Sequence, residues 1–253
     1  MSLSLEHLSA VLKYKDMFVQ GLVVTVLLSA VTVFFGFFLA FLLALMHLSK
    51  FRILRIISGA YVQFVRCTPM LVQVFLVYYI VFGFISLPKF TFFGFIQFER
   101  FFPAAVALAL NSGGYMSDVI RGGIEGVDQG QREAARSLGM TSGQTLYHII
   151  LPQAIKNILP AVANEFVTII KESSICYTIG VQDIMFNVKS VQSASFIIAE
   201  PLVVATFLYF CLCFPTSKII QYVERRMRQS DRRDGNAGFD MEEEDAARSR
   251  GVA

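Results

Sequence analysis

Charge is scarce in this sequence. Of 253 residues only 16% are Asp, Glu, Lys or Arg, against 55% hydrophobic, and the mean hydropathy is +0.58. So low a charge density excludes an ordinary soluble domain and points to a chain that lives in a membrane. The four cysteines, Cys67, Cys176, Cys211 and Cys213, lie in or beside apolar segments and never at CxxC spacing. That pattern supplies neither a disulfide framework nor a zinc site, and the cysteines read as small buried hydrophobes. No G-x4-G-K-[ST] stretch occurs, nor any Gly-Lys dipeptide, so the chain has no P-loop with which to bind ATP.

What is present is a series of apolar runs. Met17 to Met46 carries no charge and exceeds the roughly 20 residues needed to cross a hydrocarbon core. Lys13 and Lys15 precede it as in a secretory signal, but the run is longer than a signal core and lacks a small-residue cleavage pattern, so it is expected to be retained. Four further segments follow at about Ile56–Phe84, Pro103–Ile120, Pro152–Ile170 and Phe196–Tyr222. Residues 1–223 are therefore expected to form an all-α transmembrane domain of about five helices. With the N-terminus outside, the inner segments hold Lys50, Arg52 and Arg55, then Arg121, Arg132 and Arg136, then Arg225, Arg226, Arg228, Arg232 and Arg233. The outer ones hold only Lys13, Lys15, Lys89, Arg100, Lys171 and Lys189, so the positive-inside bias predicts N-out, C-in. Residues 224–253, rich in Arg, Asp and Gly with an acidic run at Glu242–Asp245, read as a disordered inner tail. The aromatic stretch Phe90–Phe102 suits the outer interface.

The one long polar loop spans about residues 121–152, and it carries helix signals. Asp128 followed by Gln131, and Thr141 followed by Gln144, fit capping arrangements that begin helices, with Gly139 between them as a left-handed stop. Two short helices and a turn follow, presenting Ala134, Ala135, Leu138, Met140, Leu146 and Ile149 as apolar surface. Linking two spans requires none of this.

Within the loop stand Glu133-Ala134-Ala135, Gly139, Ile149 and Leu151-Pro152, seven fixed residue types over twenty positions. Their spacing resembles the EAA motif of ABC importer permeases. Other stretches resemble the polar amino-acid (histidine and glutamine permease) branch: Arg66-Cys67-Thr68-Pro69 into Leu71-Val72-Gln73, Asn111-Ser112-Gly113-Gly114-Tyr115 with Arg121-Gly122-Gly123-Ile124, and Asn164-Glu165-Phe166 leading to Lys171-Glu172-Ser173-Ser174. Cys67 stands where glycine is usual, and Glu172-Ser173 where aspartate and threonine are common. The resemblance implies a type I (MetI-like) permease fold in a bacterial cytoplasmic membrane, moving a polar amino acid by alternating access. In that family the EAA loop is a coupling helix seated in a cytoplasmic ATPase, so Glu133, Ala134, Ala135, Gly139, Leu151 and Pro152 are the expected coupling residues. The implied partners are that ATPase, which holds ATP and Mg, a second permease subunit (homo- or heterodimer) and an extracytoplasmic solute-binding protein. No metal or cofactor is expected on this chain.

A helix-turn-helix on nucleic acid is the rival reading of the loop, since a tight turn between short helices needs similar residues. A DNA reader needs a basic recognition face. Thr141 to Ile150 contains no Lys or Arg and runs into a span, so docking to a protein is favoured and no nucleic-acid partner is expected. An ion-driven secondary transporter is the other rival, and the internal repeat typical of such folds is not evident.

Polar groups at bilayer depth are costly and commonly functional. Arg66 stands three residues before Pro69, whose missing N–H is expected to kink the helix, and suits a substrate carboxylate or an ion pair with Glu165 or Asp118. Glu165, beside Asn164, suits an ammonium or that same pair. Asn111 and Tyr115 share a helix face, and Gly113-Gly114 between them reads as packing. Asp118 and Arg121, three apart, read as a local pair or gate. Arg66, Asn111, Asp118, Asn164 and Glu165 are the candidate substrate residues. Glu200 reads as charge complementation at a helix start, and Lys171 to Ser173 as snorkelling groups.

Overall fold

The structure is a computed structural model; its backbone is described for residues 5–250 and its side chains for residue 7 and residues 9–227. Helix α1 (Leu5–Leu12) leads into α2 (Lys15–Leu48), α3 (Arg52–Cys67) and α4 (Met70–Phe75), which widens into a π turn over Leu76–Val81. A hairpin follows, with β1 (Thr91–Phe92) antiparallel to β2 (Ile96–Gln97) and Thr91 opposite Gln97. Then come α5 (Phe98–Glu125), α6 (Gln129–Ser137), α7 (Ser142–Thr145) and a π turn over Leu146–Ile150. The chain continues through α8 (Leu151–Glu172), a 3-10 stretch Ser173–Ile179, α9 (Ile184–Ser195) and α10 (Ala199–Arg250).

Helix α2 shows how the bundle is held. Its buried face is a stripe of small residues, including Gly21, Thr25, Ser29, Thr32, Gly36, Ala40 and Ala44, recurring every three or four positions. Among lipid tails apolar burial gives little drive between helices, so close approach and dispersion decide packing. The opposite face sends Phe34, Phe35, Phe38 and Leu42 outward, each more than half exposed. Helix α5 fills the centre. A Cβ added at Gly113 would lie 2.8 Å from Leu39, and one at Gly114 2.9 Å from Val65, which agrees with the packing role expected for both glycines. Around α5 lie one core at the hairpin end, with Leu28, Leu108 and Cys176, and another at the loop end, with Met116, Ile120, Ile150 and Ile158.

Each expected apolar segment corresponds to helix, with differences of shape. Helices Lys15–Leu48 and Ala199–Met227 are long and apolar enough to cross a membrane, and the second segment makes a third candidate only as a broken pair, Arg52–Cys67 with Met70–Val81, bent by 110°. The break sits at Thr68-Pro69, where Thr68 is extended (φ −113°, ψ 138°) as residues before proline prefer. Helices α5 and α8, with 28 and 22 residues, are long enough but interrupted by polar side chains. The last segment starts at Ala199, because Phe196 (φ 58°) is the left-handed cap of α9. Helix α9 itself is unanticipated; Asp183 caps it and Ile184, Val188 and Val191 bury its apolar side.

Other expectations divide. Glu200 lies in the first turn of α10 as anticipated and also bonds His7 Nδ1 at 3.2 Å. All four cysteines are free, but only Cys176 is buried; Cys67 and Cys211 are exposed, so the buried-hydrophobe reading fails for them. The expected disordered tail is overturned over 224–250, where the backbone of α10 runs on unbroken to Arg250; the side chains of 228–253 lie outside the described residues.

Candidate functional sites

Two sites emerge, the α6–α7 loop and a polar cluster within the spans. In the loop, the Asp128 side chain caps α6 by accepting from Gly130 N–H at 2.8 Å, in place of a reciprocal box with Gln131. The end of α6 is a Schellman motif: Gly139 (φ +83°) donates its N–H to Arg136 O at 3.0 Å, and Met140 donates to Ala135 O at 3.1 Å. The capping box at α7 is complete, with Gln144 N–H to Thr141 Oγ1 at 3.3 Å and Thr141 N–H to Gln144 Oε1 at 2.9 Å. Arg136 Nη1 bridges the turn to Met140 O at 2.8 Å.

The loop is tied to the bundle at its base. Arg132 Nη2 donates to Ile124 O, 2.6 Å away at the end of α5, and Ala135 and Ile150 are 4% and 2% exposed. Glu133 and Ala134 face outward, Glu133 accepting from Gln129 Nε2 at 2.8 Å. Leu138 is 84% exposed and Tyr147 68%. Leu151 and Pro152 open α8 without a break, so the second loop helix is the root of a span, unlike a free recognition helix. Of the expected apolar surface, Ala134, Leu138 and Leu146 are exposed, Met140 and Ile149 half-buried, and Ala135 turns inward. A notch of about 500 Å³ between Glu125, Gln129, Arg132, Glu133 and Arg136 flanks the loop.

Within the spans, Arg66 takes Asp118 as its partner, Nη1 to Oδ2 at 2.9 Å. Asp118 also accepts from Arg121 at 3.4 Å, the local pair expected, and Arg121 reaches Glu125 at 2.9 Å. The alternative pairing of Arg66 with Glu165 is not made; Glu165 accepts from Ser112 Oγ at 2.8 Å. Arg66 and Asp118 line a polar cavity of about 240 Å³ with Ser58, Gln63, Ser117 and Arg121. Asn164 is exposed beside the half-buried Glu165. Asn111 is 4% exposed and Tyr115 44%, so their shared face is the rim of the buried side, with only Asn111 inside it. Asn111 donates to Gln73 Oε1 at 3.0 Å. In this arrangement its amide is engaged in packing and its side chain is nearly closed off.

Gln73 and Ser112 were not among the candidates. The signal for Gln73 was an amide in an apolar run directly after the Pro69 break; nothing local marked Ser112. Among the described residues no group of three or more His, Cys, Asp or Glu could hold a metal ion.

Residues 17–229 match the family described as binding-protein-dependent transport system inner membrane component. The chain is 36% identical over 223 residues to the arginine transport system permease protein ArtQ of Bacillus subtilis, covering 88% of this chain and 98% of that one. It is 37% identical over 209 residues to the putative glutamine transport system permease protein GlnP of Rickettsia conorii, covering 83% and 92%. Its backbone superposes on a chain from a crystal structure of an amino acid ABC transporter with histidines, with TM-score 0.79, 36% identity and coverage of 89% and 100%. An inward-facing MetNI methionine ABC transporter shares the fold at TM-score 0.64 and 17% identity, covering 83% and 98%.

Proposed function

The chain belongs to the family of binding-protein-dependent transport system inner membrane components, and from that premise we propose that it is the permease subunit of an ATP-driven importer of polar amino acids. The α6–α7 loop carries this reading. It is internally hydrogen-bonded, anchored by Arg132, and tipped by an exposed leucine, Leu138. An apolar tip on a stiff base suits insertion into the cleft of a cytoplasmic ATPase, which would hold ATP and Mg. Glu133, Ala134 and Gly139 shape that contact, and Leu151-Pro152 pass its movement into α8.

The loop end also carries Lys50, Arg52, Arg55, Arg121, Arg132 and Arg136, which supports placing it in the cytoplasm, with the N-terminus outside and the C-terminus inside. Helix α8 exposes Asn157 and Asn164 and half-exposes Glu165, groups that are costly against lipid. Covering that face with a second permease subunit and a polar pathway removes the cost. Glu165 then meets the substrate ammonium, while Arg66 is available to its carboxylate by exchange with Asp118. A solute-binding protein delivers the amino acid from outside, and ATPase closure biases the access equilibrium.

Reconstitution into liposomes with the ATPase and binding protein encoded beside it tests the reading. Uptake is expected only with ATP inside and both partners present. ATP-independent uptake by the chain alone would overturn it in favour of a secondary transporter. Within that assay Glu165→Gln is expected to lower uptake of a cationic amino acid by about tenfold, the scale of one charged hydrogen bond. Unchanged kinetics at normal expression would remove Glu165 from the pathway.

A further inference from the structure

The break in the second span is closed by the Gln73 amide, beside the Thr68 hydroxyl that donates to Phe64 O at 2.8 Å. In a continuous helix Val65 O would accept from the N–H of residue 69, but that residue is Pro69 and has none. Thr68, in extended conformation, leaves its own carbonyl outside both helices. Gln73, only 7% exposed, faces both vacancies: the two hydrogens of its Nε2 are shared among Val65 O at 2.9 Å, Thr68 O at 3.1 Å and Thr68 Oγ1 at 2.7 Å. Its Oε1 accepts from Asn111 Nδ2 of α5 at 3.0 Å. One amide therefore repairs the break and fastens it to the central helix. Irregular backbone at membrane depth persists only where its polar groups find such partners.

The neighbours on either side of this clamp are the charged groups of the proposed pathway. Arg66 follows Val65 directly and pairs with Asp118. Ser112 follows Asn111 directly and holds Glu165. We propose that Gln73 is a positioning residue for translocation, holding the break between α3 and α4 against α5 so that Arg66 and the Ser112–Glu165 pair move as one unit. This deepens the importer reading and rests on it. Without the clamp, the bent span shifts relative to α5, and closure of the ATPase no longer presents both charges to the amino acid together.

Gln73→Glu separates the two halves of the clamp. Its carboxylate still accepts from Asn111 but has no proton for the Val65 and Thr68 carbonyls. In the assembled importer, reconstituted with its binding protein, uptake turnover at pH 7.5 is expected to fall about tenfold, the scale of one buried polar group left unpaired. Hydrolysis stimulated by the loaded binding protein should stay within about twofold of the parent, since that protein and the ATPase dock elsewhere, so more ATP is consumed per molecule moved. Asn111→Ala, which removes only the Oε1 contact, is expected to raise the same ratio by a smaller factor. Uptake and hydrolysis falling in equal proportion, unchanged values for both, or failure of both variants to assemble would each confine Gln73 to the fold and overturn the proposal. Absence of ATP-dependent uptake by the parent complex would instead strike at the importer reading, a separate outcome.

Discussion

The α6–α7 loop and the polar cluster of the spans are built from bonds of opposite reach. In the loop, Asp128 meets Gly130, Gly139 meets Arg136, Met140 meets Ala135 and Thr141 meets Gln144, all within five residues. In the cluster, Gln73 meets Asn111 across 38 residues, Arg66 meets Asp118 across 52 and Ser112 meets Glu165 across 53. The loop therefore keeps its shape wherever the spans move. The cluster exists only while α3, α4, α5 and α8 hold one arrangement. A part that transmits force needs the first property, and a site that opens alternately needs the second.

Asp183 combines a local bond with burial by distant elements in one side chain and offers the strongest test of the contrast. Its Oδ1 caps α9 locally, accepting from Phe186 N–H at 2.8 Å, while Oδ2 is buried without a hydrogen-bond partner among the described residues. Burial pushes the carboxyl up to about 7, against the opposing bonds from the Phe186 and Met185 N–H groups. Cys176 and Tyr209 lie near enough to interact with it electrostatically. A raised acid favours the protonated native state, so its stabilisation is full below about pH 4 and is lost as pH rises through about 7, a change on the order of 4 kcal/mol. Asp183→Asn keeps the cap and removes the titration. Thermal unfolding of the purified permease from pH 4 to 8 is expected to show a falling midpoint for the parent and a clearly shallower fall for the variant. A parent midpoint that does not fall over that range means the long-range environment of Oδ2 is not as dry as its burial indicates.

That contrast also explains what the sequence disclosed. Thr141-x-x-Gln144 and Gly139 specify their geometry to any reader, because capping and left-handed turns depend on neighbours a few residues away. The apolar runs disclosed the long helices for the same reason, and Pro69 disclosed the bend. Arg66 stood between two carboxylates, Asp118 and Glu165, because the choice depends on the rotation and depth of α5 and α8, which no local pattern encodes. Ser112 carried no local signal, and its bond to Glu165 is read only once α8 is set beside it. Helix α9 was missed since its apolar side, Ile184, Val188 and Val191, is too short to register as a span and is read only once α2 lies against it.

The loop half of the comparison can be broken at Gly139. A β-branched residue in its left-handed conformation costs roughly 1–2 kcal/mol, and no neighbouring atom within 4 Å would obstruct the new Cβ, so backbone strain is isolated from steric conflict. Gly139→Val is expected to insert into the membrane normally while its affinity for the ATPase falls by about tenfold. Gly139→Asn, which tolerates the same conformation, should bind nearly as the parent does. Co-purification across a range of ATPase concentrations reads both. Equal losses for valine and asparagine would mean that a side chain at this position obstructs the ATPase directly, and that the local turn is not what matters.

The cluster half is tested most finely at Arg66 and Asp118. Their geometry is good at 2.9 Å, but the side chains are 55% and 31% exposed in the single chain, and exposed pairs are worth about 0–1 kcal/mol. Asp118 is moreover shared with Arg121, which partly replaces Arg66 when it leaves. A double-mutant cycle of Arg66→Gln and Asp118→Asn on the unfolding of the isolated permease is therefore expected to give a coupling below about 1 kcal/mol. Weak coupling is what exchange with a substrate carboxylate requires, because a pair too stable to open would exclude the ligand. The same cycle in the assembled importer measures how far a second subunit dries the pair. A coupling above about 2 kcal/mol already in the isolated chain would make Arg66–Asp118 a fixed strut and leave the substrate carboxylate to another donor.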